Sequence, residues 1–269
     1  MTEKTVIRTV STNTFLMRYF QFGTGARQLV ILPGLSVQSV MESADAVASA
    51  YEPLAKDFTV TVFDRRTSLP EAYGIGDMAR DTAEVMQTLG LREVDLFGAS
   101  QGGMIALEIA LEHPELVRKL ALGSAAARVG EAQYRVLAQW IELAEQNDAA
   151  GLYLAFGEKL YPPAVFAQFR SALVAAAQTV TKAELQRFIM LAQGTKGFDA
   201  ADRLNELQCP VLVLGAADDA VLGENAFREL VDGRTKEPLF ESCLYEGFGH
   251  AAFDTAPDYK ERLLQFFLK

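Results

Sequence analysis

Ser100 lies in a glycine-rich segment whose residue types could support nucleophilic catalysis. The segment Gly98-Ala99-Ser100-Gln101-Gly102 follows an apolar, strand-like run and precedes a run compatible with a helix. A nucleophilic serine in this setting requires a turn too tight for side chains two residues away on either side, and glycine meets that requirement. The N-terminus of the following helix would supply backbone N–H groups for an oxyanion. The alternative is that Ser100 only caps the helix.

A serine hydroxyl needs a general base, and the chain of 269 residues contains two histidines. His250 lies in a predicted loop between the last strand and the final helix, where catalytic groups gather in open α/β sheets. His113 precedes Pro114 at a predicted helix end, where an imidazolium interacts favourably with the helix dipole. We therefore predict that His250 is the base and that His113 is structural or solvated.

The base needs a carboxylate that orients it, and two adjacent aspartates follow the apolar run at residues 211–214. We predict that Asp218 performs this role, because a short turn after Gly215 can direct its side chain toward the His250 loop. Its neighbour Asp219 is then expected to be solvated or to cap the next helix.

The elements that must position these residues alternate between short β-branched runs and longer amphipathic stretches, which indicates a mostly parallel sheet. Strands are predicted at residues 6–10, 15–20, 28–32, 58–63, 94–97, 119–122, 211–214 and 239–245. Helices are predicted at residues 43–55, 76–89, 102–111, 225–231 and 258–268. The first two strands are too close for a helix between them, so we expect an antiparallel hairpin at a sheet edge.

The strand pattern stops between roughly residues 125 and 201, where aromatic and aliphatic residues recur at helical spacing. We interpret this region as a helical cap, residues 126–201, inserted into an α/β core formed by residues 1–125 and 202–269. The aromatic residues of the cap could line an apolar pocket over Ser100, but packing of the cap against its own core is the favoured interpretation.

With these motifs the sequence resembles the α/β-hydrolase fold family over essentially its whole length. Besides the Ser100 turn, Leu-Pro-Gly-Leu at residues 32–35 stands where the family has its oxyanion loop, and residues 198–213 are similar to the family's return from cap to sheet. Asp218 occupies the family's G-x-x-D position, and the order Ser100, Asp218, His250 is the family's order.

The resemblance implies an α/β fold with an eight-stranded, mostly parallel sheet, helices on both faces and an inserted cap. It also implies that Ser100 is the nucleophile, His250 the base and Asp218 the acid, and that the backbone N–H groups of Leu35 and Gln101 form the oxyanion hole.

Two segments depart from the family pattern. Pro33 replaces a common histidine, which leaves a backbone donor at Leu35 intact but changes how its loop is fixed. Arg65 and Arg66 lie in a segment that replaces a glycine-rich turn. For both arginines, surface ion pairs are favoured over substrate contact.

A serine nucleophile argues against the dehalogenases and epoxide hydrolases that resemble this fold, because these enzymes use aspartate. The predicted enzyme is a hydrolase (EC 3) that cleaves a small or medium apolar ester through an acyl-Ser100 intermediate. Thioesters, lactones, carbon–carbon cleavage, perhydrolysis and acyl transfer use the same residues, so they stay open. A receptor-like ligand-binding protein with little turnover is the alternative from a different functional class.

Composition narrows the partners. The 35 acidic and 25 basic residues give a formal net charge of −10, which disfavours nucleic acids and anionic membrane surfaces. Two cysteines and two histidines are too few for a disulfide scaffold or a multi-histidine metal site, so neither metal nor cofactor is predicted. The absence of a long apolar run leads us to expect a cytoplasmic protein. The expected partner is a small-molecule substrate. The oligomeric state is not readable from the sequence.

Overall fold

A computed structural model describes residues 4–233 and 240–269 of the protein. Eight strands form one sheet in the order β1-β2-β4-β3-β5-β6-β7-β8. Their bounds are β1 (Ile7–Ser11), β2 (Leu16–Phe22), β3 (Arg27–Leu32), β4 (Phe58–Arg66), β5 (Val94–Ala99), β6 (Val117–Gly123), β7 (Val211–Ala216) and β8 (Phe240–Tyr245). The predicted start of the last strand, residue 239, lies outside the described residues.

The direction of the strands follows from the lengths of their connections. β1 and β2 form the expected antiparallel hairpin at one edge, and β2 also pairs antiparallel with β4. The pairs from β3 and β4 through to β7 and β8 are parallel, which requires long crossover connections. The prediction of a mostly parallel eight-stranded sheet is confirmed.

The central strands are buried on both faces. Every residue of β5 and of β7 is buried, as expected where helices cover both sides of a parallel sheet. Alternate residues of β5 and β6 enter two separate cores: Leu96 and Leu120 pack on one face, and Phe97 and Ala121 on the other.

Ten α-helices are formed by the described residues. They are α1 (Ala44–Ala50), α2 (Ile75–Thr88), α3 (Gln101–Glu112), α4 (Glu131–Glu145), α5 (Ala149–Leu160), α6 (Pro163–Ala177), α7 (Lys182–Gln193), α8 (Glu224–Asp232), α9 (Ala252–Thr255) and α10 (Tyr259–Leu268). Residues of α2 and α3 belong to the first core, and residues of α10 belong to the second. No α-helix in the described ranges is long and apolar enough to cross a membrane.

Four helices, α4 to α7, fill the connection between β6 and β7 where the strand pattern stops. We refer to these four helices as the cap helices. Trp140 of α4 contacts Phe156 of α5 with ring centroids 4.5 Å apart, and Phe156 also packs edge-on against Phe188 of α7. The division of the chain into a core and a cap with the predicted boundaries stays a prediction.

Several elements differ in extent from the prediction, among them the first predicted helix and strand β7. The predicted helix at residues 43–55 ends at Ala50, and a 3-10 turn, Glu52–Leu54, follows it, because Pro53 has no N–H with which to continue the helix. Strand β7 continues two residues beyond the predicted end at Leu214 and closes at Ala216. This second difference shifts the turn that carries the two aspartates.

Candidate active site

Ser100 occupies a strained turn between β5 and α3. Its backbone has φ +52° and ψ −121°, a conformation that side-chain-bearing residues rarely adopt. The Ser100 carbonyl accepts hydrogen bonds from the N–H groups of Gly103 and Met104, which begins the helix directly after the serine. The turn therefore holds the Ser100 hydroxyl at the C-terminal edge of the sheet.

The flanking glycines are required by the close approach of backbone segments. A Cβ atom on Gly98 would lie 2.2 Å from the carbonyl oxygen of Gly102, and one on Gly102 would lie 2.0 Å from the carbonyl oxygen of Leu32. Real Cβ contacts do not reach these distances, so no larger residue fits without movement of β3 or of the turn. The predicted reason, a turn too tight for side chains, is confirmed at Gly98, whereas Gly102 is restricted by the neighbouring strand β3.

His250 lies beside the serine, as the sequence predicted. Its Nε2 atom is 2.9 Å from Ser100 Oγ, and its side chain is 1% exposed. The ring also packs edge-on against Phe253, which restricts its rotation. The imidazole is therefore held at hydrogen-bond distance from the hydroxyl from which it would take a proton.

The predicted contact between Asp218 and His250 is wrong, since Asp219 makes it. Asp219 Oδ2 is 2.7 Å from His250 Nδ1, whereas Asp218 Oδ2 accepts a hydrogen bond from the backbone N–H of Gly249 at 3.1 Å. Because β7 extends to Ala216, the turn after it begins later than the sequence suggested. The carboxylate that reaches the imidazole is the third residue after the strand end.

The turn also supplies hydrogen-bond donors for the second carboxylate oxygen of Asp219. Asp219 Oδ1 accepts hydrogen bonds from the N–H groups of Val221 and Leu222, each at 2.8 Å. Burial raises the pKa of Asp219, but His250 and these two N–H groups favour the charged carboxylate, and the net pKa lies below the usual value. Asp219 is thus a buried carboxylate that stays ionised beside the imidazole.

The loop that carries His250 is fixed from two sides. Asp218 holds the Gly249 N–H from the sheet side, and the Leu160 carbonyl at the end of α5 accepts the N–H of Ala251 at 3.0 Å from the cap side. Gly249 has φ +65°, and a Cβ atom there would lie 2.8 Å from the Leu160 oxygen. Asp218 therefore positions the loop that carries the histidine, one step removed from the imidazole.

The two predicted oxyanion donors both line the cavity at Ser100. Gln101 is the first residue of α3, so its N–H has no acceptor within the helix. Leu35 follows Gly34, where a Cβ atom would lie 3.2 Å from the Ser100 Cβ atom. Both donor segments therefore flank the serine, and the assignment of their N–H groups to an oxyanion stays a prediction.

The expectation of surface ion pairs is wrong for Arg65, which is 4% exposed. Its guanidinium donates to the Pro33 carbonyl at 2.8 Å and to Gln101 Oε1 at 3.3 Å. Arg66 does pair with an acid, Asp81, at 3.5 Å, and its guanidinium lies 4.7 Å from the centre of the Phe15 ring. Sequence patterns gave no signal for the burial of Arg65, because the Pro33 carbonyl and the Gln101 side chain, which are distant in sequence, meet it only in the fold.

A cavity of about 460 Å³ lies over Ser100 and His250 between the sheet edge and the cap helices. Its walls are mainly apolar and include Val37, Met104, Leu137, Trp140, Phe156, Leu160, Leu173, Val221 and Leu222. Trp140 and Phe156 pack against each other within the cap and also line the cavity. The cap aromatics therefore serve both predicted purposes, packing of the cap and lining of a pocket. A cavity of this size accepts a small or medium organic substrate.

His113 lies away from this cavity, at the end of α3. Its Nδ1 atom is 3.6 Å from Glu115 Oε1, and its side chain is 29% exposed. It is not among the residues that line the cavity in the described part of the chain.

Comparison with known proteins identifies the class to which this fold and site belong. The family model described as "alpha/beta hydrolase fold" matches residues 29–257, and the chain belongs to that family. The match runs from β3 through the Ser100 turn to the His250 loop, so it includes Ser100, Asp219 and His250.

Curated relatives of similar length are also found. A protein of Agrobacterium fabrum named "Putative carbamate hydrolase RutD" is 32% identical over 231 residues, which cover 81% of this chain and 85% of that protein. A protein of the same name from Rhizobium rhizogenes is 30% identical over 229 residues, covering 81% and 86%.

Solved structures share the fold at lower identity. An alpha/beta hydrolase, MGS-M2, from a Medee basin deep-sea metagenome library has a TM-score of 0.86 at 19% identity, covering 97% of this chain and 98% of that chain. An enol-lactonase from Burkholderia xenovorans has a TM-score of 0.82 at 17% identity, covering 97% and 100%.

Proposed function

We propose that the protein is a serine hydrolase that cleaves neutral, apolar carboxylic esters through an acyl-Ser100 intermediate. The observation that carries the proposal is the continuous chain of contacts from Ser100 Oγ to His250 Nε2 at 2.9 Å and from His250 Nδ1 to Asp219 Oδ2 at 2.7 Å. This chain lies directly under the apolar cavity. It combines an activated nucleophile, a base and an orienting acid.

The chemistry follows from these positions. His250 takes the Ser100 proton through Nε2 as the hydroxyl attacks the ester carbonyl, and the ionised Asp219 stabilises the imidazolium through Nδ1. The N–H groups of Leu35 and Gln101 stabilise the tetrahedral oxyanion. His250 then donates the proton to the leaving alcohol, and the acyl group stays on Ser100.

Hydrolysis of the acyl-enzyme uses the same groups a second time. Water occupies the place of the departed alcohol and gives a proton to His250 Nε2 as its oxygen attacks the acyl carbon. Collapse of the second tetrahedral intermediate returns the proton to Ser100 and releases the carboxylic acid.

The charge of the cavity favours neutral substrates. Glu42 and Asp254 contribute carboxylates to the wall, and neither lysine nor arginine occurs among the described residues that line it. Tyr161 donates a weak hydrogen bond to Asp254 at 3.4 Å. Arg18 lies 3.9 Å from Glu42 behind the wall, so an ester that carries its own carboxylate would meet acidic groups but no cation among the lining residues.

Active-site labelling and a substrate series test this proposal. A fluorophosphonate should label Ser100 of the wild type and leave Ser100→Ala unlabelled, as read by mass spectrometry of peptides. Dimethyl glutarate should be hydrolysed with a higher kcat/KM than monomethyl glutarate. The two compounds have nearly the same size, but the second carries a charged carboxylate in place of one ester group. Labelling without multiple turnovers would favour the receptor-like alternative, and ester products formed with added alcohols would indicate acyl transfer.

Carbamate hydrolysis is a second candidate, supported by the names of the two curated relatives that are 32% and 30% identical to this chain. A carbamate presents the same carbonyl to Ser100, and attack would give a carbamoyl-Ser100 that water then hydrolyses. A carbamate and an ester with the same aryl leaving group separate the two candidates when their turnover rates are compared. Faster turnover of the carbamate would replace the ester as the preferred substrate.

A further inference from the structure

Arg65 is a buried cation that the proposed acyl-transfer chemistry does not use. It lies next to the end of β4, it is 4% exposed, and its Nε atom has no hydrogen-bond partner. Arginine is rarely buried unless its charge and its donors are satisfied. The acceptors that hold this guanidinium therefore indicate what its burial achieves.

One nitrogen of Arg65 connects the two segments that flank Ser100. Its Nη2 atom donates to the Pro33 carbonyl at 2.8 Å and to Gln101 Oε1 at 3.3 Å. The Pro33 carbonyl belongs to the peptide unit that leads into Gly34 and Leu35, and Gln101 carries the second donor on its own backbone. A single guanidinium thus connects the two donor segments, which also pack directly against each other where Gly102 meets the Leu32 carbonyl.

Gln101 extends the connection to the cap. Its Nε2 atom donates to the Leu191 carbonyl of α7 at 2.8 Å and to Thr195 Oγ1 at 3.1 Å. The side-chain amide therefore has a fixed orientation, with its oxygen toward Arg65 and its nitrogen toward the cap. Rotation of the amide would lose the hydrogen bonds to Arg65 and to the Leu191 carbonyl together.

We propose that Arg65 is a positioning residue that sets the separation of the Leu35 and Gln101 N–H groups and so preorganises the oxyanion hole. This inference rests on the proposed function, because it assumes that an oxyanion forms at Ser100. Stabilisation of an oxyanion depends on donors already directed at the place where charge develops. If the two N–H groups must first move into position during the reaction, part of that stabilisation is lost.

The expected effect is on the transition state more than on substrate binding. Loss of a single oxyanion donor costs about 10²–10³-fold in kcat in a well-studied protease, and misplacement of two donors should cost about 10–100-fold here. The cavity walls that bind the apolar part of the substrate do not include Arg65. KM should therefore stay within about threefold of the wild-type value.

The variants Arg65→Met and Arg65→Lys test the inference, with Arg66→Met as the matched control. Methionine keeps the aliphatic stem without the donors, and lysine keeps the charge but cannot reproduce the forked guanidinium. Arg66 is adjacent and of the same type, but its contacts are with Asp81, Phe15 and the Ser68 carbonyl. Thermal melts establish that each variant is folded before kinetics are measured.

The readouts are kcat, KM and the inhibition constant of an alkyl boronic acid, which forms a tetrahedral adduct on the serine. Both Arg65 variants should lose at least tenfold in kcat, and boronate affinity should fall by a similar factor, while Arg66→Met keeps both within threefold. A purely structural role would not weaken the boronate in proportion to kcat. Folded Arg65 variants with kcat and boronate affinity within threefold of Arg66→Met would overturn the inference.

Two further outcomes keep the test decisive. Where neither Arg65 variant folds, Gln101→Met removes the other end of the connection and should give the same loss in kcat and in boronate affinity. Unchanged values in that variant would also overturn the inference. Failure of the proposed function is distinguishable, because the wild-type protein itself would then show no fluorophosphonate labelling of Ser100 or no multiple turnovers on an ester.

Discussion

Asp219 and His250 lie 31 positions apart in the chain, yet Asp219 Oδ2 and His250 Nδ1 are 2.7 Å apart. Asp219 reaches the imidazole because β7 ends at Ala216 and the following turn directs this carboxylate, and not its neighbour, toward the His250 loop. The neighbour, Asp218, holds the Gly249 N–H of the same loop. Adjacent residues of one type thus perform two different tasks.

This difference predicts unequal effects of conservative substitution at the two aspartates. Asp219→Asn should lower kcat by about 10⁴-fold with little change in KM, because a neutral amide neither stabilises the imidazolium nor fixes the required tautomer. Asp218→Asn should cost less than about tenfold, since the amide oxygen can still accept the Gly249 N–H. Steady-state kinetics on a neutral ester measure both effects, and the reverse order would make Asp218 the functional acid.

The strained turn leads us to expect that two substitutions of Ser100 reduce activity equally but change stability differently. Ser100→Ala and Ser100→Gly should both reduce kcat by about 10⁴–10⁶-fold. Glycine adopts φ +52° without the steric cost that alanine bears, so Ser100→Gly should be more stable than Ser100→Ala by about 1 kcal/mol. Urea unfolding followed by circular dichroism compares the two, and equal stabilities would argue against strain at this residue.

The close packing at Gly102 predicts a large penalty for a single methyl group. Gly102→Ala should lower the free energy of unfolding by about 1–3 kcal/mol and impair activity, because its Cβ atom would meet the Leu32 carbonyl. Gly76→Ala is the matched control, since Gly76 lies in α2 and a Cβ atom there would make only an ordinary contact, with Glu108 Oε1 at 4.0 Å, so alanine should stabilise the helix by up to about 1 kcal/mol. Similar changes in both variants would contradict the packing argument.

Asp95 predicts a pH dependence of stability that is independent of the active site. Burial raises the pKa of Asp95 to about 6, although Arg118 donates a hydrogen bond to it. An acid with a folded-state pKa above its unfolded value of 3.8 binds more protons when folded. Its contribution to the free energy of unfolding should therefore fall as the pH rises from about 4 to about 6.

In the wild type this contribution to the free energy of unfolding should fall by about 1–2 kcal/mol over the interval. Asp95→Asn should remove that fall, while its amide oxygen still accepts a hydrogen bond from Arg118. Urea unfolding at pH 4.5 and pH 7 measures the difference. Asp202→Asn serves as the control, because the Asp202 side chain is fully exposed. An unchanged slope in Asp95→Asn would show that this carboxyl is not the group responsible.

Local sequence determined the features that depend on neighbours in the chain. The alternation of apolar runs and amphipathic stretches predicted the parallel sheet, and the short connection predicted the hairpin of β1 and β2. The Ser100 turn was predictable because Gly98 is required by the tight backbone of the turn itself, although Gly102 is also restricted by the neighbouring strand β3. His250 was predictable because the chain has two histidines and this one lies in the predicted loop after the last strand.

Tertiary structure decided the features that depend on where an element ends or on contacts between distant segments. The choice of Asp219 over Asp218 depended on two extra residues of β7, and sequence patterns place strand ends only to within a few residues. The burial of Arg65 depended on Pro33 and Gln101, which lie 32 and 36 positions away. Contacts of this kind arise from packing free energy summed over the whole fold, so no local pattern records them.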